Sequence, residues 1–389
     1  MSDHNVVFSI FLIFTGAAVL ATAALYARQA IIVAYIAIGF ALGPFGGGWV
    51  SDQGWISEVS DIGIIFLLFL LGMNMLPQQL WQMLREALTV TLVSSAIFCS
   101  IGAATAWLFG FSWHEVLLIG GCMMFSSTII GLKLLPTTTL HHQHTGQMMI
   151  SVLLIQDLIA IVVMLIVQGY GAGTDPVSGV VIQVFSLPVL VLIALTLEKY
   201  LIEPLIARFD QIHEYIFLLV IGWCLAVAEC AARMGLSHEI GAFIAGVALA
   251  SCPVSMFIAD SLRPLRDFFL ILFFFSLGAG FDPAMLDHAL LPALLLAVLL
   301  LTLKPYVFQW LFVSAGERHR QSLEVGVRLG QVSEFSLLIA VIALNTGALS
   351  VSAAALVQLT TLITFVVSSY LIVVRYPTPI AVRDSLRRD

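Results

Sequence analysis

The sequence predicts an all-α polytopic membrane protein of about thirteen transmembrane helices. Three observations carry that prediction. The 389 residues are 60% hydrophobic and only 10% charged, with a mean hydropathy of +1.06. Soluble domains carry about a quarter charged residues, so this chain has too few charges to keep a globule in water. Apolar runs of bilayer-spanning length recur from one end to the other. The basic residues also alternate between loops in the way that membrane orientation demands.

In order, the spans read as 6–26, 29–43, 58–75, 87–110, 114–134, 146–170, 178–197, 214–234, 236–251, 264–281, 288–313, 321–345 and 351–374. The first follows MSDHN, which lacks the basic flank of a cleavable leader, so it reads as a retained helix. The second and ninth are short and glycine-rich. GFALG (Gly39 to Gly43) has the small-residue spacing that lets helices approach closely. Loops after odd-numbered spans, with the C-terminal tail, hold most of the 16 lysines and arginines, from Arg28 and Arg85 to Arg387 and Arg388. The opposite side has Arg233, with Lys133 near a span end. This places the C-terminus in the cytoplasm and the N-terminus outside.

Several function classes fall away. The five cysteines form no C-x-x-C pair, so neither a disulfide framework nor a zinc site is indicated. No basic stripe suggests nucleic acid. No G-x-x-x-x-G-K-[ST], H-E-x-x-H or G-x-S-x-G occurs, so an ATP-driven pump and the commoner membrane enzymes find no support. The chain reads as no enzyme, with no cofactor; a transporter of this kind draws on an ion gradient.

The informative residues are the ionisable groups placed at bilayer depth, which are costly there and commonly functional. Asp157 lies at the centre of SVLLIQDLIAIVVMLIV, too deep to reach the interface. It reads as a site for a cation or a proton; an interhelical structural bond is the alternative. Lys304 precedes Pro305 within span eleven, where the proline removes a backbone donor. A lysine at that depth needs an anionic partner, and Asp157 is the natural one. Glu334, in RLGQVSEFSLL, sits among polar residues in the middle of span twelve. Such a polar break suggests an interrupted helix whose backbone groups line a cavity. Span five has a matching interruption, FSSTIIG, with Ser126, Ser127 and Thr128 adjacent. Ordinary back-bonding of hydroxyls is the alternative there. Arg328, six residues before Glu334, can meet it only if the helix is broken. Asp61 lies in span three.

Spans five and twelve are seven apart. Because seven is odd, a unit repeated at that interval is inverted in the membrane. Two inverted repeats, each with a broken helix, are a common plan for secondary transporters. Spans 1–6 then repeat as 8–13, with span seven as a linker.

At these residues the chain resembles the second monovalent cation:proton antiporter family, and within it the membrane domain of the Kef-type potassium efflux systems. The matching stretches are DIGIIFLLFLLGMN, FSSTIIGLKLL, SVLLIQDLIAI, SHEIGAFIAGVALAS, RPLRDFFLILFFFSLGAGFD and GVRLGQVSEFSLLI. They lie within about residues 30 to 345. Gln156–Asp157 stands where other antiporters of this fold have Asn-Asp or Asp-Asp.

The resemblance implies a sodium/proton-antiporter-like fold. It implies a moving core at 87–170 and 288–374, a dimer-forming scaffold at 6–75 and 214–281, and a linker helix at 178–197. It implies exchange of a monovalent cation, K⁺ before Na⁺, for protons, with Asp157 carrying each in turn and Lys304 as its charge partner. Gln156, Ser126, Ser127 and Thr128 would complete the cation's oxygen shell, with carbonyls released at the two breaks. Glu334, Arg328 and Asp61 would tune the site. A homodimer is expected, with a separate regulatory subunit where Kef systems carry their own nucleotide-binding domain. A gated cation channel, or the transport subunit of a larger complex, is the alternative. Departures from the family pattern are Asp61 for a usual Glu, GMN (Gly72 to Asn74) for GLE, and Glu239 after His238 for an apolar residue. HHQH (His141 to His144), between spans five and six, reads as a solvated loop, with a pH sensor as the alternative.

Overall fold

The computed structural model describes residues 6–27, 29, 31–50, 53–73, 77–133, 144–171, 176–209, 211–236, 238–252, 255–281, 283 and 286–378. Its regular elements are helices. In chain order they are α1 (Val6–Tyr26), α2 (Ile31–Leu42), α3 (Gln53–Met73), α4 (Pro77–Leu108), α5 (Trp113–Met123), α6 (Thr128–Lys133), α7 (His144–Gly171) and α8 (Pro176–Leu197). A π-helical turn, Glu198–Ile202, leads into α9 (Glu203–Arg208). There follow α10 (His213–Arg233), α11 (His238–Leu249), α12 (Ser255–Ala279), α13 (Leu286–Ser314), α14 (His319–Arg328), α15 (Glu334–Asn345) and α16 (Val351–Arg375).

Each apolar run of the sequence falls on a helix or on a pair of helices. Among the described residues, five stretches are by themselves long and apolar enough to cross a bilayer: Val6–Tyr26, Ala87–Leu108, His213–Arg233, Ala289–Ser314 and Val351–Arg375. Shorter apolar helices include Ile31–Leu42, His238–Leu249 and Glu334–Asn345. The fifth and twelfth apolar runs are each broken in two, as α5/α6 and α14/α15. Both breaks are therefore where the polar interruptions of the sequence place them.

The chain divides into two compact units. The first comprises residues 1–17, 35–82 and 172–280. Here α3 packs against α11 and α12, and α10 against α11. Glycine allows these helices to touch backbone to backbone. A Cβ on Gly72 of α3 would strike the Phe243 carbonyl, and one on Gly246 of α11 would strike that of Phe69. Gly39 of α2 and Gly278 of α12 make the same reciprocal contact, through the carbonyls of Phe275 and Ile36. GFALG thus does what its spacing suggested.

The second unit comprises residues 18–34, 83–171 and 281–389. Within it α13 packs against α14 and α16, while α15 packs against α16, α7 and α5. Gly326 brings α14 onto the Pro305 carbonyl of α13, where any larger residue would collide. Both interrupted helices, Asp157 on α7 and Lys304 on α13 belong to this unit.

Candidate functional site

The first break follows from its residues. α5 ends at Met123, and Met124 to Ser127 are non-helical before α6 begins at Thr128. A polar group freed there has no water to meet, so it must be satisfied by protein. The Gln156 amide does this from α7. Its Oε1 accepts from Ser126 N at 2.9 Å, and its Nε2 donates to Met124 O at 3.2 Å. Ser127 Oγ accepts from Ile130 N at 3.1 Å and so caps the start of α6.

The second break is braced in the same manner. α14 ends at Arg328, and α15 begins at Glu334 behind an N-cap, Ser333, whose hydroxyl accepts from Phe335 N at 3.1 Å. Val332 N donates to Thr364 Oγ1 at 3.1 Å. Gln331 Nε2 donates to Arg328 O at 2.9 Å, and its Oε1 accepts from Ser368 Oγ at 2.8 Å. Thr364 and Ser368 lie one turn apart on the buried face of α16.

The two breaks meet. Ser126 Oγ donates to Leu329 O at 2.9 Å, Gln331 Nε2 reaches Ser127 O at 3.3 Å, and Ser336 Oγ donates to Cys122 O at 2.5 Å. Lys304 ties them together. Its fully buried ammonium donates to Phe125 O at 2.7 Å and to Gln331 O at 3.1 Å, with Ser126 Oγ at 3.5 Å. The Phe98 ring lies 5.0 Å beneath it. An ammonium has three donors, and three oxygens surround this one.

These contacts revise the expected partnership of Lys304 with Asp157. Among the described residues no ion pair joins them; the lysine is aimed at main-chain carbonyls. The physical reason is local. Phe125 O and Gln331 O lie just past the C-terminal ends of α5 and α14, where helix dipoles and freed carbonyls concentrate negative potential. The lysine therefore takes up the carbonyls that the sequence reading assigns to a cation's oxygen shell.

Asp157 is 1% exposed. Among the described residues its hydrogen-bond partner is Thr128, whose Oγ1 lies 3.4 Å from both carboxylate oxygens. That contact is long. Glu334, 4% exposed at the start of α15, lies within electrostatic reach of Asp157. The structure thus gathers Asp157, Thr128 and Glu334 in one place. It gives Gln156, Ser126 and Ser127 to the bracing of the break.

Arg328 meets Glu324 on its own helix. It is fully buried, and its Nε and Nη2 donate to Glu324 Oε1 at 3.0 and 2.9 Å, one turn earlier on α14. Asp61 lies in the first unit, on an exposed part of α3 near Glu58, Glu239 and His238. Glu229 is exposed and pairs with Arg233 at 2.8 Å and His238 at 3.4 Å. His141 to Gln143 and Asn74 lie outside the described residues.

Sequence reasoning missed Gln331, Ser336, Thr364 and Ser368. A signal existed for the last two. Thr361, Thr364 and Ser368 recur at helical spacing within an apolar span, and all are buried.

A membrane bundle in which two interrupted helices cross beside a buried carboxylate defines a class of ion-translocating protein. The chain belongs to the family described as sodium/hydrogen exchanger, transmembrane, which it matches over residues 10–374. It is 27% identical over 323 residues to K(+) efflux antiporter 4 of Arabidopsis thaliana, covering 80% of this chain and 54% of that protein. It is also 27% identical over 344 residues to a putative K(+) efflux antiporter, KefB, of Alkalimonas amylolytica, covering 87% and 52%. The chain therefore spans about half the length of the curated relatives it matches. Among solved structures, the sodium proton antiporter MjNhaP1 of Methanocaldococcus jannaschii shares the fold. Its TM-score is 0.71 at 17% identity, over 94% of this chain and 95% of that one.

Proposed function

We propose that the chain is a secondary active transporter that exchanges a monovalent cation for protons by alternating access. One observation carries this reading: Asp157 is buried beside the crossing while Lys304, the nearby cation, is engaged with carbonyls. The carboxylate is left for an ion that comes and goes. A proton and a cation compete for the same two oxygens, and that competition couples their movements. Thr128 adds a hydroxyl to the cation's shell. Lys304 keeps its charge in both states on this reading, so one cation replaces one proton without net charge movement.

K⁺ is the proposed cation ahead of Na⁺. The support is that two relatives are named K(+) efflux antiporters. Residues 87–170 and 288–374 are the proposed moving core. Residues 6–75 and 214–281 are the proposed dimer-forming scaffold, with 178–197 as linker. The proposed setting is a bacterial inner membrane, with the C-terminus cytoplasmic.

The test is a flux assay. The protein is placed in liposomes with a trapped pH dye and an acid interior, and K⁺ or Na⁺ is added outside. Wild type should drain the proton gradient, faster with K⁺, and Asp157→Asn should not. An Asp157→Asn variant that matches wild type removes Asp157 from the exchange. Cation flux without proton flux favours a gated channel on the same scaffold.

A further inference from the structure

Arg328 is the last residue of α14, and the second break begins immediately after it. A charged residue at a helix end ordinarily reaches solvent. This one is fully buried, and its guanidinium is held in the interior. Glu324 takes its Nε and Nη2 at 3.0 and 2.9 Å, Pro377 O accepts from Nη2 at 2.9 Å, and the guanidinium lies 5.6 Å from the centre of the Tyr376 ring. Tyr376 and Pro377 stand just beyond the end of α16, and Thr378 after them is fully buried. The chain leaving the last helix therefore lies across the end of α14 as a strap.

The strap lands next to the crossing. Arg328 O accepts from Gln331 Nε2, Leu329 O from Ser126 Oγ, and Gln331 O from Lys304. One brace within the second break and two links of the crossing thus start within three residues of Arg328. Only a planar fork can grip a carboxylate and a carbonyl at its edge while an aromatic ring covers it; a lysine presents a point charge.

We propose that Arg328 is a positioning residue of the exchange site: through it the segment 376–378 holds α14 and sets the second break. Movement of the chain beyond α16 is thereby coupled to cation affinity at Asp157. The transport part of this inference rests on the function proposed above; the mechanical part does not.

The test uses the full chain with Arg328→Gln, Tyr376→Leu, the double variant and Arg328→Lys, each checked for monodispersity. Hydrogen exchange is followed at residues 329–333 and, for reference, on α10. Apparent KM and maximal rate for K⁺ are measured in liposomes. The expected result is faster exchange at 329–333 with α10 unchanged, and an apparent KM raised about five-fold or more at near-constant maximal rate. The double variant should be no worse than Arg328→Gln, and Arg328→Lys should not restore the KM. Unchanged exchange at 329–333, additive effects, or full rescue by lysine overturns the strap. A fall in maximal rate alone makes Arg328 merely structural. If wild type moves no protons, the proposed function fails, and the exchange measurement still decides the strap.

Discussion

At the residue scale, Gln156 and Asp157 show how neighbours take opposite tasks. Successive helical side chains point about 100° apart. From α7 the amide reaches the first break, while the carboxylate faces Thr128. Removing the amide and removing Thr128 should therefore have different consequences. Gln156→Leu leaves Ser126 N and Met124 O unsatisfied in the interior, and should cost about 2 kcal/mol of stability. Thr128→Val keeps the shape and removes one oxygen. It should weaken cation affinity several-fold, with little change in thermal stability. Thermal unfolding in detergent beside K⁺ titration of exchange separates the two; equal melting losses would make Thr128 a brace as well. Lys304→Ala strips charged donors from two buried carbonyls, and should cost about 3 kcal/mol or more. A Lys304→Ala protein as heat-stable as wild type would remove the lysine from its place at the crossing.

At the element scale, both units use close glycine contacts, and the second adds polar bracing. The first relies on glycine contacts between helices. Gly246→Ala would drive a methyl group into the Phe69 carbonyl, and α3 and α11 must separate to admit it. The expected cost is about 1–3 kcal/mol. Gly222→Ala, on α10 with open space around it, is the matched control and should be neutral or stabilising by up to about 1 kcal/mol. Equal melting temperatures for the two variants would count against close packing. The second unit relies on polar bracing, because a broken helix exposes carbonyls and amides that lipid cannot satisfy. Both breaks were legible in the sequence as FSST and RLGQVSE, since clustered polar residues in an apolar span have few other uses. Their partners were less legible. Ser368 meets Gln331 across 37 residues and Ser126 meets Leu329 across 203, and no local pattern encodes such distances.

At the scale of the whole molecule, the proposed sharing of one carboxylate by a proton and a cation makes a definite electrical prediction. The rate of cation-driven proton release should be the same with and without an ionophore that clamps the voltage. Acceleration by the clamp would mean that net charge moves, and that a second group besides Asp157 changes its proton in the cycle.

The sequence alone determined that this chain belongs in a membrane, that its apolar runs are helical, which two are broken and which acids fall within apolar runs. Those features follow from hydrophobic runs and from the cost of burying charge, and both are read along one strand of sequence. Tertiary structure decided the partners. It turned Lys304 from a carboxylate toward the carbonyls of two breaks, gave Gln156 to the backbone, and set Arg328 under a strap from beyond the last helix. Main-chain carbonyls carry no residue identity, so a sequence cannot announce them as ligands. They become sites only when two broken helices cross.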